Sequence, residues 1–422
     1  MLKEILLLVF ILHISALIFA QDTIKEEKES YSLHYQTTSI YQYHSAFKAQ
    51  YSGANSLQNI AEKALSLTST LFFDMPLWKG ALMTINPELA GGEGVSQAKG
   101  LGGFANGETF RIGNAKPVVY MARMLLEQNF DFDANHSLKM VFGKFGLADY
   151  FDGNSFSHDA RSQFLNWSLM DMGAWDYAAN TRGYTDALYT NYQFNNWQIR
   201  AAWSAQPTKA NGPNVAFNVK KSNAINIEVE RQINFKNNDQ AVIRLLGFRN
   251  VAAAGNYNQA NANFVGIPDI TSTRANGRTK YGLGLNAEYV HKDLWGAFSR
   301  LSYNDGKNET WAFTEIDQSA TAGINLKGKM WQRENDGAGI AFASNGLSAA
   351  HQRYQQLGGN GFMIGDGNLN YGTEKIVEAF YSFSVPKSNI TLSPDYQFIV
   401  NPGYNKDRGP VNFFSMRFHA QF

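Results

Sequence analysis

The sequence predicts an all-β protein, an antiparallel transmembrane β-barrel of roughly 16 to 18 strands with a short N-terminal helical or periplasmic segment. Three observations carry that prediction. The first is the closing segment, in which Phe414, Met416, Phe418, Ala420 and Phe422 alternate with Ser415, Arg417, His419 and Gln421. Successive side chains of a strand point to opposite faces, so one face here is apolar and the other polar. The second is a secretory signal over residues 1–20: Lys3 gives a positive start, and Ile5 to Ala20 is apolar apart from His13 and Ser15. The third is that beyond residue 20 no run approaches the ~20 consecutive apolar residues that a spanning helix needs. A chain that crosses a membrane without such helices must close its strands into a barrel, because hydrocarbon offers no partner for free backbone groups.

Residues 22–30 form a charged lead-in without pattern. Residues 55–66 space Leu57, Ile60, Ala61, Ala64 and Leu65 as the face of a short helix, so the N-terminal segment is expected to run over 21–66 ahead of or within one barrel domain, 21–422. Strands follow. Trp197, Ile199, Ala201 and Trp203 alternate with Gln198, Arg200, Ala202 and Ser204, and Ile225, Ile227 and Val229 with Asn226, Glu228 and Glu230. Tyr281, Leu283, Leu285, Ala287 and Tyr289 alternate with Gly282, Gly284, Asn286 and Glu288, and Val377, Ala379, Tyr381 and Phe383 with Glu378, Phe380 and Ser382. Charged residues fall on the polar set each time, as a water-filled lumen permits. Asn195-Asn196, Asn237-Asn238-Asp239, Asn304-Asp305-Gly306 and Asn335-Asp336-Gly337 read as turns. The Gly-rich stretches 91–107 and 358–372 read as longer loops, at least one of them extracellular or folded inward. The aromatic end at Phe422 resembles the signal by which outer-membrane barrels are recognised by the assembly machinery.

Composition fits this picture. Thirty Phe, 20 Tyr and 8 Trp coexist with a mean hydropathy of -0.32, as expected of aromatic girdles outside and a polar lumen inside. Lys plus Arg total 37 against 36 Asp plus Glu, so no global charge attracts nucleic acid. There is no cysteine, hence neither a disulfide framework nor a lipid anchor on a processed Cys.

Catalytic, metal and cofactor motifs do not emerge. Gly323 to Met330 nearly fits a phosphate-binding loop, but Met330 stands where the Ser or Thr ligand belongs. Ser157-His158-Asp159 has the residue types of a hydrolytic triad, yet consecutive residues cannot align as nucleophile, base and orienter. Gly365-Asp366-Gly367 is one copy of a pattern that binds calcium only in many.

Two blocks resemble the carbohydrate-selective porin (OprB) family. The first runs through Gly143-Lys144-Phe145, Asp149-Tyr150-Phe151-Asp152, Ser157-His158-Asp159-Ala160-Arg161, Gly173-Ala174-Trp175-Asp176-Tyr177 and Thr181-Arg182-Gly183-Tyr184-Thr185. The second runs from Gly365-Asp366-Gly367 and Tyr371-Gly372-Thr373-Glu374 through Glu378-Ala379-Phe380-Tyr381 and Leu392 to Asn405, ending at Asp407-Arg408-Gly409-Pro410-Val411. Asn106-Gly107-Glu108 with Arg111 adds a weaker match, and residues 205–360 match only in strand character. The resemblance implies a passive bacterial outer-membrane channel for mono- or oligosaccharides, without cofactor or enzymatic activity, seated in outer-membrane lipid. Sugars carry hydroxyl edges and apolar C–H faces, so a selective lumen combines hydrogen-bonding groups with aromatic rings. The charged residues inside the matching blocks are the candidate lumen contacts: Glu108, Arg111, Asp159, Arg161, Arg182, Glu374, Glu378, Asp407 and Arg408. Each has a structural alternative as a strut or a turn residue, and Trp167 and Trp175 are expected as girdle or stacking residues. Two other functions fit the same sequence: a general or anion-preferring diffusion channel of this fold, and a secreted soluble sugar-binding β protein.

Overall fold

β-Branched and aromatic residues in strict alternation leave each strand with a wet face and an apolar face, and closure is the arrangement that gives every strand a partner on both edges. The computed structural model describes residues 31–109 and 114–422; the signal segment, the lead-in and Arg111 lie outside the described residues. Sixteen strands form one closed antiparallel barrel in which each pairs with its sequence neighbours and the first pairs with the last. They are β1 (Ser32–His44), β2 (Glu62–Pro76), β3 (Ala81–Gly92), β4 (Val118–Asp133), β5 (His136–Phe145), β6 (Thr185–Phe194), β7 (Trp197–Ala205) and β8 (Asn223–Asn234). The second half comprises β9 (Gln240–Ala252), β10 (Arg278–His291), β11 (Trp295–Asn304), β12 (Gln318–Lys327), β13 (Gly337–Gly346), β14 (Glu374–Ser384), β15 (Ile390–Val400) and β16 (Val411–Gln421). The strands run from 9 to 16 residues, enough to cross a bilayer when tilted. No helix among the described residues is long and apolar enough to do so.

The register confirms the two-faced pattern. Trp197, Ile199, Trp203, Ile225, Ile227, Tyr281, Leu283, Leu285, Val377, Phe414 and Met416 are all exposed on the outer wall, an apolar surface far larger than a water-soluble monomer tolerates. Their neighbours Glu228, Asn286, Glu288, Glu378 and Arg417 are buried inside. Short connections of two to nine residues, Asn195-Asn196 among them, close one end of the barrel, while the other carries the long loops 45–61, 93–117, 146–184, 206–222, 253–277, 305–317, 347–373 and 401–410. Asn237 to Asp239 and Asn335-Asp336 are turns as expected, whereas Asn304-Asp305-Gly306 opens one of the long loops.

Three expectations are corrected. Residues 55–66 hold no helix: Asn55 bridges to Gly365, and from Glu62 onward the chain is β2. The alternation of Ala64 and Ser66, buried inside, with exposed Lys63 decides the conformation over the coincidental helical spacing. Trp167 and Trp175 are neither girdle residues nor open platforms; both are buried within loop 146–184. Arg417, assigned by its polar face to water, is fully buried and donates from Nη1 to the carbonyls of Ala160 and Gln163, each at 2.7 Å.

Loop 146–184 folds into the barrel and occupies it. Phe151, Phe164, Leu165, Leu169 and Trp175 are almost wholly buried, and Trp167 stacks on Phe313 at 4.2 Å and 25°. A loop buried this way must have its backbone groups satisfied. Wall side chains do so: Glu228 accepts the N–H of Asp152 at 2.8 Å, Glu288 that of Ser155 at 2.6 Å, and Glu378 that of Asn166 at 2.9 Å. Arg300 donates to the carbonyls of Leu169 at 2.9 Å and Ser157 at 2.6 Å, and Asn304 to that of Ala174 at 3.0 Å.

Candidate functional site

Against the β2–β4 wall, one cluster of charged and aromatic side chains keeps partial access to water. Glu88 on β3 and Glu108 in loop 93–117 face Arg161 in loop 146–184, whose Nε lies 3.0 Å from Glu108 and whose Nη2 lies 3.6 Å from Glu88. Thr68 and Thr70, successive inward residues of β2, donate to Glu108 and Glu88 at 2.6 Å each. The hydroxyl of Tyr120 on β4 also donates to Glu88. Beside it, Arg123 of β4 donates from Nε to Asp149 at 2.8 Å, and Asp149 also accepts the N–H of Gly146 at 2.9 Å, fixing the start of the loop. Two guanidinium groups cover rings: Arg182 lies 4.3 Å from the Tyr120 centroid and Arg123 5.4 Å from that of Tyr184.

Exposure separates this cluster from the anchors. The side chains of Arg161, Glu108, Arg123 and Asp149 are 17%, 12%, 18% and 26% exposed, whereas Glu228, Glu378 and Arg300 are sealed. Burial pushes the Glu108 carboxyl above its ordinary value against the pull of Arg161. At Asp159 burial acts the same way, but the Arg161 cation and its backbone N–H outweigh it and hold the carboxyl low. Burial alone would weaken the charge on Arg161; the carboxylates of Glu108, Glu88 and Asp159 outweigh it and keep the guanidinium protonated. The cluster therefore offers fixed donors, acceptors and ring faces side by side, the chemistry that a sugar's hydroxyl edge and C–H face both require.

Of the residues singled out in the sequence, Glu108, Asp159 and Arg161 meet here, with Asp159 accepting the N–H of Arg161 at 2.9 Å; Arg182 stands on the neighbouring ring. The others sit elsewhere. Glu374 accepts the N–H groups of Gly102, Gly103 and Gly403 at 3.0, 2.9 and 2.8 Å. Glu378 accepts those of Leu165 and Asn166. Asp407 accepts from Asn370 at 2.9 Å, and Arg408 lies 3.6 Å from Asp366 and donates to the carbonyls of Tyr51 and Leu57. Ser157, His158 and Asp159 do not converge: Ser157 donates to the Leu169 carbonyl, and His158 Nε2 lies 2.9 Å from that of Ala148. Sequence reading missed Glu88, Tyr120, Arg123 and Asp149 as members of the cluster. The signal was present in β2 and β3, where Thr68, Thr70, Glu88 and Ala90 fall on one face, but it needed the register to place that face opposite Arg161.

The comparisons place this architecture. Residues 76–422 match the model of the carbohydrate-selective porin, OprB family. Nothing among curated proteins matches the chain. Among solved structures, the chain is similar to the high-pH structure of Pseudomonas putida OprB, with a TM-score of 0.72 and 17% identity over 93% of this chain and 94% of that one. It is also similar to the low-pH structure of that protein, with a TM-score of 0.52 and 14% identity over 93% of each chain. With a closed barrel, a lipid-compatible wall and an inward loop beside a cluster of charged and aromatic side chains, the chain belongs to the OprB family of carbohydrate-selective porins and is a sugar channel of the bacterial outer membrane.

Proposed function

We propose that sugars pass off-axis, along the β2–β6 side of the barrel, and are read at a constriction formed by Glu88, Glu108, Tyr120, Arg123, Asp149, Arg161 and Arg182. The observation that carries this reading is the partial exposure of the Arg161–Glu108 pair where loop 146–184 approaches the wall. Glu374, Glu378, Asp407 and Arg408 act in this reading as anchors that hold loops and not as sugar contacts. Passage is passive and needs neither a cofactor nor bond chemistry, and binding must be weak enough for release.

Three arginines, Arg161, Arg123 and Arg182, stand among four carboxylates, Glu88, Glu108, Asp149 and Asp159. That balance favours neutral sugars over an anion-preferring pore, in which uncompensated arginines attract phosphate and carboxylate. The protein also depends, in this reading, on the outer-membrane assembly machinery that recognises its closing strand. Single-channel recording in planar bilayers tests the proposal. Neutral mono- or disaccharides at millimolar concentration reduce the current of the wild-type channel, and Arg161→Ala with Glu108→Ala relieves the block. Indifference of the wild-type current to neutral sugars, with strong anion selectivity, refutes it.

A further inference from the structure

Closer to the short connections than Arg123 and Asp149, the inner wall carries a second polar surface. Lys139 on β5, Asn191 on β6 and Arg200 on β7 share one register row, and Gln198 and Glu230 are paired in the next row towards the short connections. Hydrogen bonds tie the two rows into a ribbon. Asn191 Nδ2 donates to Gln198 Oε1 at 2.9 Å, Gln198 Nε2 to Glu230 at 2.8 Å, and Arg200 to Gln198 at 2.9 Å and to Glu230 at 3.0 Å. Lys139 Nζ lies 2.9 Å from Glu127 of β4. Glu127 follows Arg123 on the same strand, about 13 Å further from the loop end.

The ribbon is more open than the sockets of loop 146–184. The Lys139 side chain is 37% exposed, Asn191 and Gln198 are half-buried, and Gln193 beside them is exposed. These residues share the inward face with Glu228, so the space they meet is the lumen. An aromatic surface adjoins them. Tyr150 of loop 146–184, half-buried, lies against Tyr189, the next inward residue of β6, with ring centroids 4.4 Å apart at 31°. Tyr189 stands beside Arg200, and the Tyr150 hydroxyl feels the charges of both Asp149 and Glu127. The ring therefore links the constriction to the ribbon. The long loops of outer-membrane barrels face the cell exterior, which puts the ribbon on the periplasmic side.

We propose that Tyr150, Lys139 and Asn191 form a second sugar subsite on the exit side of the constriction, which takes one ring of a linear oligosaccharide while another ring is held at Arg123 and Asp149. The proposal rests on the reading that sugars pass along the β2–β6 side. Lys139 and Asn191 supply donors and an acceptor for hydroxyls, and the tyrosine ring covers the C–H face. Arg200, Gln198 and Glu230 are committed to one another and hold Asn191 in place before sugar arrives, which lowers the ordering cost of binding. A monosaccharide occupies one subsite at a time. An oligosaccharide engages both, and its second contact is intramolecular, so the pore retains longer sugars longer.

The test records single-channel block of the full barrel by glucose and by maltotriose. In the wild type maltotriose dwells about tenfold longer than glucose, and in the double variant Lys139→Gln, Asn191→Ala that ratio falls towards one. Should the double variant assemble poorly, Tyr150→Ala, which alters the loop and not the wall, is expected to lower the ratio in the same direction. An unchanged ratio in a variant that assembles overturns the proposal. A fall of both dwells at constant ratio also overturns it, because the ribbon would then act only by supporting the constriction. Location is read separately. The chain has no cysteine, so Gln193→Cys, in register with Gln198 and outside the subsite, places a single thiol beside the ribbon. Maltotriose is expected to slow its labelling by a hydrophilic maleimide, and Tyr150→Ala to remove that protection. Labelling that maltotriose does not slow overturns the subsite and leaves the constriction standing. Protection that persists while Arg161→Ala with Glu108→Ala leaves glucose block at its wild-type value supports the subsite and refutes the constriction.

Discussion

Glu378 of β14 accepts the backbone N–H of Asn166, in the middle of loop 146–184, at 2.9 Å. The same carboxylate accepts the N–H of Leu165, so one wall side chain satisfies two consecutive donors that the loop carries into the barrel. Wall carboxylates at 228, 288 and 374 do the same for other loop segments. The polar face of the strands thus serves two ends: part of it lines a path for water and solute, and part is the socket of an internal loop.

This predicts how the loop is lost. Glu378→Leu strands two buried N–H groups at about 1 to 3 kcal/mol each, a penalty the loop escapes by leaving its socket. The barrel should still assemble, as seen in heat-modifiable gel mobility, while single-channel conductance rises and protease cuts appear between residues 155 and 170. Glu378→Gln keeps one acceptor oxygen and should behave between the two. Conductance and cleavage unchanged in Glu378→Leu would show that the loop is held by its other contacts alone.

The two faces of β16 give a second prediction. Phe418→Arg places a charge against lipid, at roughly 2 to 4 kcal/mol near the bilayer midplane. Arg417→Ala, which an empty polar lumen would tolerate, removes the donor to the Ala160 and Gln163 carbonyls and should cost about 1.5 to 3 kcal/mol. Refolding into lipid vesicles measures both. A neutral Arg417→Ala would mean that water replaces the guanidinium without loss.

What the sequence revealed and what it withheld divide along this line. Alternation at Trp197 to Ser204 or Phe414 to Phe422 tells which side chains share a face, and the apolar set can only be the lipid side once closure is assumed. The polar set is ambiguous, because a face that tolerates charge is compatible with water or with a folded-in segment that supplies hydrogen-bond partners. Arg417 and Glu378 read as wet for that reason and are sealed. The candidate cluster was half legible: Glu108, Asp159 and Arg161 lay in family-like blocks, whereas Glu88 and Tyr120 join them only through the β2–β3–β4 register. The helical spacing at 55–66 failed because a strand with Ala64 inside and Lys63 outside uses the same residues.

A third prediction is that one loop contact responds to pH. Glu315, in loop 305–317, is buried, and burial pushes its carboxyl up to about 7 despite His351 and the N–H groups of Met363 and Ile364. Both N–H groups donate to it, at 3.0 and 2.9 Å. A carboxyl raised in the folded state contributes stability that is full below its unfolded value and lost as pH rises through the folded one, at about 1.4 kcal/mol per unit. Asp317, held low by His351 after burial is outweighed, loses its contribution only in stronger acid. Loop 347–373 should therefore resist protease better at about pH 5.5 than at about pH 8.5, and Glu315→Gln should remove the difference. An identical slope in the variant assigns the effect to another group.

The last prediction concerns selectivity and the Arg161–Glu108 pair. Burial raises the Glu108 carboxyl above its ordinary 4.5, so as pH falls it takes up a proton while free glutamates are still ionised. Asp159, held low beside the same arginine, keeps its charge in that window. Neutralising Glu108 leaves Arg161 less compensated, and the channel should shift towards anions between neutral pH and 4.5, read as a displacement of the reversal potential in a salt gradient. Sugar block should weaken over the same interval, because a protonated carboxyl no longer holds the guanidinium in place. Glu108→Gln should show the acid-side selectivity at every pH and lose the transition. Should the variant keep the full wild-type transition, the titrating group lies elsewhere, and Glu108 is a fixed partner of Thr68 and Arg161 and not the sensor of the constriction.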